Sequence, residues 1–211
     1  YILKPNVPTN GAVRNTILPG DIKYRDMNGD GIMNDADLTF IGRGQPIHTG
    51  GFSNNFTYKA FNLNVFFQWS YGNDIYNANR LIMEGNSNGW ANINQFASYS
   101  NRWSPENPTN ENYRTRGQGP IGFHSSRVVE DGSFLRMKTV SLNYNLPAKL
   151  IKTAYLSSLS VNVSAQNLIT WTNYSGMDPE VSTRNNTLTP GFDYSSYPRS
   201  PTIAFGIKAG F

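Results

Sequence analysis

Asp26, Asn28 and Asp30 fall at alternate positions before Gly31, and Ile32, Asn34 and Asp37 follow. The run matches the calcium-loop template D-x-[DN]-x-[DN]-G, extended to its twelfth position. Calcium is a hard cation that takes about six to eight oxygen ligands. The side chains of Asp26, Asn28 and Asp30 supply such oxygens, and Gly31 permits the sharp turn. Ile32 offers its carbonyl, Asn34 coordinates directly or through water, and Asp37 closes the loop. Asp is shorter than the Glu of an EF-hand at that last position, as in loops of the dockerin type. No amphipathic helix precedes Tyr24, so a complete EF-hand is not expected. The chemistry implied is a structural calcium ion that ties down a surface loop. The plainer alternative is a polar Asn-Gly turn without metal.

Other chemical candidates are thin. Asp178-Pro179-Glu180 is a carboxylate pair of the kind glycosidases use, but Asp-Pro also opens turns and no partner motif accompanies it. Gly42-Arg43-Gly44 lacks the Gly-Lys-Ser/Thr of a phosphate loop. His48 and His124 flank glycine-rich stretches and read as loop residues. Trp90 and Trp103 could stack on sugar rings or pack beneath a loop. The chain has no Cys and two His, which excludes disulfide scaffolds, thiolate zinc and multi-histidine metal centres. An enzyme is therefore not expected.

The elements that would position these residues show period two. From Asn62 to Tyr71, Leu63, Val65, Phe67, Trp69 and Tyr71 share one wholly apolar face, opposite Asn62, Asn64, Phe66, Gln68 and Ser70, which are nearly all polar. Similar alternation predicts five strands, at about 50–58, 62–73, 134–146, 157–170 and 199–211. Most exceed the five or six residues usual in soluble domains and approach the roughly 9–11 that span a bilayer. Short links at 59–61 and 147–156 alternate with long ones at 74–132 and 171–196, the layout of an outer-membrane barrel. Tyr58, Trp69, Tyr71, Tyr144, Trp171 and Tyr174 gather near strand ends, as aromatic girdles do. Helical spacing at 75–83 and 93–103 predicts two short helices inside the first long link.

Composition agrees. The 211 residues carry 18 Lys plus Arg and 14 Asp plus Glu, a net charge of +4. No basic cluster concentrates that charge, so nucleic acid is not an expected partner. Charged residues make only 15% of the chain, aromatic residues 13%, and there are 27 Asn, so its polarity is mostly uncharged. Mean hydropathy of -0.49 suits a soluble protein but equally a strand-built membrane protein, whose alternating faces average out. The opening residues have neither a start Met nor a signal-peptide pattern, and the chain reads as a piece of something longer.

Several stretches resemble one family. Gly20-Asp21-Ile22-Lys23-Tyr24 with Asp26-x-Asn28-Gly29-Asp30-Gly31, ending at Ile41-Gly42, is similar to the SusC/RagA-type TonB-dependent transporters of Bacteroidota. So are Val129 to Arg136, Ser164 to Leu168, Asp178-Pro179-Glu180, and Tyr197 through Phe211. The resemblance implies an all-β chain: the C-terminal strands of a large, 22-stranded transmembrane antiparallel β-barrel with long extracellular loops. It implies an extracellular loop region over 1–49 and the last five barrel strands over 50–211. Expected partners are a SusD-like surface lipoprotein, outer-membrane lipid, and the TonB complex through a part absent from this chain. The expected cargo is an oligosaccharide or a peptide. The expected place is the outer membrane of a Gram-negative bacterium, with the C-terminus periplasmic. The alternative is a secreted soluble β-sandwich, a carbohydrate-binding module with a structural calcium.

Overall fold

A computed structural model describes residues 18–32, 34–85, 94–115, 117, 125–152, 155–181 and 190–211. The strands are β1 (His48–Tyr58), β2 (Phe61–Tyr71), β3 (Asp74–Asn77), β4 (Val129–Asp131), β5 (Phe134–Asn145), β6 (Ser158–Thr172), β7 (Phe192–Asp193) and β8 (Thr202–Gly210). The helices are α1 (Ala78–Met83) and α2 (Ala148–Ile151), with 3-10 turns at Asp35–Asp37, Ala97–Asn101 and Ser126–Val128. No helix among the described residues is long and apolar enough to cross a membrane.

The chain divides into two compact units. One joins residues 43–75, 131–181 and 196–211; the other joins 1–42, 76–130 and 182–195.

The first unit is built on a five-stranded sheet in the order β1-β2-β5-β6-β8. Every neighbouring pair is antiparallel. The reversal from β1 to β2 takes only Lys59 and Ala60, and Lys59 adopts a φ of 53° there. Register carries the apolar residues onto one face. Leu63 lies opposite Phe56 and Leu142, and Val65 opposite Val140. Val140 in turn lies opposite Ala165, and Val163 opposite Phe205. Aromatic pairs stack across the strands, Phe52 on Phe67 at 4.8 Å and Phe61 on Tyr144 at 4.4 Å between ring centroids. Such cross-strand pairs are what stabilise a sheet.

This face is not a core. Phe205 is 79% exposed, Ile207 76% and Phe56 58%. A contiguous apolar patch larger than a few hundred Å² is rare on a water-facing surface. The opposite face is polar, and its asparagines bridge strands: Asn64 Nδ2 donates to Ser53 Oγ at 3.0 Å and also to Asn55 Oδ1. Short amide side chains reach across a ladder without bringing in charge.

Two irregularities interrupt the ladder. Between Phe66 and Phe67, β5 carries Lys138 as an extra residue, and the β5–β6 register shifts at the same level. Asn167 occupies the matching level of β6 with φ 52°, a conformation Asn tolerates better than most residues. The bulge reverses the parity of β5. Arg136 and Ser141 therefore share the polar face although one number is even and the other odd.

The second unit contains Tyr76 and Asn77 of β3, which pair in parallel with Phe192 and Asp193 of β7. Its helical content differs from the spacing-based expectation. Residues 74–77 are strand, the helix begins only at Ala78, and the second segment is a 3-10 turn at Ala97–Asn101. Asn77 itself is almost fully buried, so pairing with β7 overrides the helical spacing.

Candidate functional site

The calcium-type loop lies in the second unit and is closed by its own amides. Asp26 accepts the N–H of Gly29 at 2.6 Å and of Gly31 at 2.8 Å. Asp30 accepts the N–H of Ile32 at 2.7 Å, and Asn28 Oδ1 accepts that of Asp30 at 3.0 Å. Gly29 and Gly31 take φ of 77° and 80°, which lets the loop fold back on Asp26. Asn34 caps the following 3-10 turn by accepting the Ala36 N–H at 2.7 Å. Asp37 is buried and accepts the N–H of Asn34 at 2.9 Å and of Met27 at 2.8 Å. Those two bonds hold its carboxyl below the usual carboxylate range. The loop thus brings Asp37 back beside Met27. Ile32 is exposed. Among the described residues, no three His, Cys, Asp or Glu are grouped closely enough to hold a metal ion.

Trp103 packs its indole over Gly20, where a Cβ would collide with it. Trp90 and His124 lie outside the described residues. His48 is not a loop residue but the first of β1. Tyr174 stands beyond the end of β6 and is buried, so it does not belong with the exposed strand-end rings.

The most developed side-chain constellation is one that spacing did not reveal. On the polar face of β5, Arg136 is buried, its side chain 3% exposed. Its guanidinium donates to Asp178 Oδ1, to Glu180 Oε2 at 2.9 Å and, through Nε, to Thr170 Oγ1 at 2.9 Å. Glu180 Oε2 is shared with Lys138 Nζ at 3.0 Å and Arg199 Nε at 3.1 Å. Asp178 also accepts the backbone N–H of Arg199 and of Glu180, each at 2.8 Å. Asp178-Pro179-Glu180 is thus an ionic clamp and not a catalytic pair. It fastens the segment after β6 and the segment before β8 onto β5. The bulge makes this possible by turning Lys138 out of the alternation.

Burial would raise the Asp178 carboxyl, but the two backbone donors and Arg136 outweigh it and hold it below the usual range. A lowered carboxylate contributes stability above its unfolded pKa of about 3.9 and loses it as pH falls through the folded value. Thermal melting of the full-length protein and of an Asp178→Asn variant is therefore expected to differ at neutral pH. The gap should narrow as pH falls below the usual carboxylate range and through the lowered folded value; a gap that stays constant through acid pH would remove the clamp's ionic character.

The second unit has its own network. Arg80 pairs with Glu84 and with Glu130, both at 3.0 Å, and Arg127 pairs with Glu84 at 2.8 Å. Asp21, whose side chain is fully buried, pairs with Arg114 at 2.6 Å. Burial, with Tyr113 and Tyr76 nearby, pushes the Tyr24 phenol up to about 12.

No protein-family model matches the chain. Its sequence is 34% identical to TonB-dependent receptor P26 of Formosa agariphila over 205 residues, which is 95% of this chain and 20% of that protein. It is 36% identical to TonB-dependent receptor P3 of the same organism over 198 residues, 92% of this chain and 19% of that protein. Its fold is similar to the RagAB peptide importer in the closed-closed state, with a TM-score of 0.70, 27% identity, and 92% of this chain and 21% of the other covered. In the open-open state the TM-score is 0.69 at 28% identity, with 85% of this chain and 19% of the other covered. The chain spans about one fifth of the length of the relatives it matches.

Proposed function

We propose, from the premise that the chain belongs to the SusC/RagA type of TonB-dependent receptors, that its five long strands form the C-terminal wall of an outer-membrane importer. The observation that carries this reading is the exposed apolar face of a five-stranded antiparallel sheet backed by a polar one. A face of that kind is at rest against lipid, and its partner against water. A secreted β-sandwich is not favoured, because a second sheet packed on the apolar face would be needed and this unit contains none among its described residues.

The barrel we infer is large, of the 22-stranded kind, with its remaining strands and its plug outside this chain. With short links at one strand end and long ones at the other, the reading we propose has 72–133 and 173–201 outside the cell and the C-terminus in the periplasm. Extracellular loops and the polar wall bind the cargo, and force from the TonB complex drives it inward. A SusD-like surface lipoprotein is the proposed partner. The cargo is an oligosaccharide or a peptide; the RagAB neighbours, which are peptide importers, make a peptide the first to test. No catalytic step is proposed. Uptake of a labelled oligopeptide and a labelled oligosaccharide by cells with and without the full-length gene is the test. Loss of one of the two on deletion supports the reading. Recovery of the full-length protein in the soluble fraction without detergent overturns it.

We also propose that calcium occupies the 26–37 loop. Its donor set is all oxygen, as calcium requires, and each carboxylate oxygen that accepts an amide keeps a further lone pair. Asp26, Asn28, Asp30, Asn34, Asp37 and the Ile32 carbonyl would hold the ion, which requires the self-capped loop to draw together carboxylates that it holds apart. Calcium is expected to slow proteolysis within 26–37 of the full-length receptor, and Asp26→Asn with Asp30→Asn to abolish that protection. Cleavage that is indifferent to calcium and chelator would leave the loop as a self-capped turn.

A further inference from the structure

One hollow is used by none of the above. It measures about 810 Å³ and lies at the long-link end of the five-stranded sheet, lined in part by His48, Trp69, Tyr71, Leu135, Trp171 and Asp131. Register places its rings together. His48 is opposite Tyr71, Trp69 opposite Leu135, and Leu135 opposite Trp171, all on the apolar face.

The rings are held in place before any ligand arrives. The Trp69 indole N–H donates to His48 Nδ1 at 3.1 Å, and His48 stacks on Tyr71 at 5.1 Å. With Nδ1 accepting, Nε2 carries the proton of the neutral imidazole and serves as a donor. Gly50 is opposite Trp69, and a Cβ there would collide with the indole, so its absence lets the ring lie across β1. Beyond the rings the lining becomes polar, with Ser133 and Asn173 beside Asp131, whereas Thr172, opposite Phe134, belongs to the other face.

We propose that this hollow binds the sugar headgroup of a glycolipid in the outer leaflet. The proposal rests on the membrane reading above. A sugar ring offers an apolar C–H face and a hydroxyl edge, which match aromatic rings flanked by a carboxylate, an amide and a hydroxyl. A phosphate head is disfavoured, because no Lys or Arg is among the described lining residues and Asp131 would repel it. Acyl chains alone would leave the polar lining unmatched. Cargo is not the occupant, because the rings stand on the apolar face and cargo passes the polar one.

The test uses the full-length receptor, purified from outer membranes and exchanged into nanodiscs containing either an uncharged glycolipid, diglucosyl diacylglycerol, or phosphatidylethanolamine. Retained lipid is counted by native mass spectrometry. Trp69→Leu with Trp171→Leu keeps the face apolar and removes the stacking; it is expected to lower the retained glycolipid about ten-fold and leave phosphatidylethanolamine unchanged. Asp131→Asn, a milder change, is expected to lower it about three-fold. Equal retention by wild type and both variants, or equal loss of both lipids, overturns the site while leaving the importer reading intact. A full-length receptor that does not fractionate with outer membranes overturns that reading, and the site with it.

Discussion

Replacing Val140 with Arg should destabilise the full-length receptor by about 2–4 kcal/mol, the cost of a cation near the middle of a barrel's lipid face. The same change at Ser141 should cost within about 0.5 kcal/mol, since that position faces water. The two residues are neighbours in the middle of β5 and differ mainly in the face they occupy. Val140 shares its face with Val65 and Ala165, and Ser141 its own with Asn64 and Ser164. Urea unfolding from lipid vesicles measures both. A comparable cost at the two sites would mean that the apolar face meets protein or water, and the wall reading would fail.

The second large effect belongs to the ionic clamp. Arg136→Met should destabilise by about 3–5 kcal/mol, because it leaves the buried Asp178 without its cation. The loss comes from the stranded charge more than from the removed contact. Adding Asp178→Asn to Arg136→Met should therefore recover part of it, whereas unrelated mutations would add. Glu180 keeps Lys138 and Arg199 in either variant. Thermal unfolding of the four receptors in detergent closes the cycle. Strict additivity would show that the clamp's members act independently, and the segment after β6 would then be held by other contacts.

How far the sequence could be read depended on what each residue's neighbours were. In β2 the alternation from Leu63 to Tyr71 is unbroken, because every second side chain meets the same apolar face. In β5 it is legible only from Thr139 onward, because the bulged Lys138 reverses the parity and Arg136 no longer matches the pattern. The start of β1 was obscured by Gly50 and Gly51, whose missing side chains make room for Trp69 and Phe66. His48 was lost with it. The family motifs marked Arg136, Asp178, Glu180 and Arg199 as a set of stretches but gave no chemistry for them. Their partnership spans 42 residues between Arg136 and Asp178, and no periodicity links positions that far apart. Strand existence is written in local alternation. An ion pair between strand and loop is written only in the fold.

The unequal links carry a consequence for the order of events when the chain assembles. β1 and β2 are joined by Lys59 and Ala60, whereas β2 and β5 are separated by residues 72–133. Each doubling of a flexible link adds roughly 0.6 kcal/mol of closure entropy, so the longer link costs about 3 kcal/mol more to close. Pairings between distant segments are also the slow ones. β1–β2 and β5–β6 are thus the pairs with the lower entropic barrier, and each meets the other as a finished hairpin. The timetable of assembly follows from link length, although all of these strands share one chemistry.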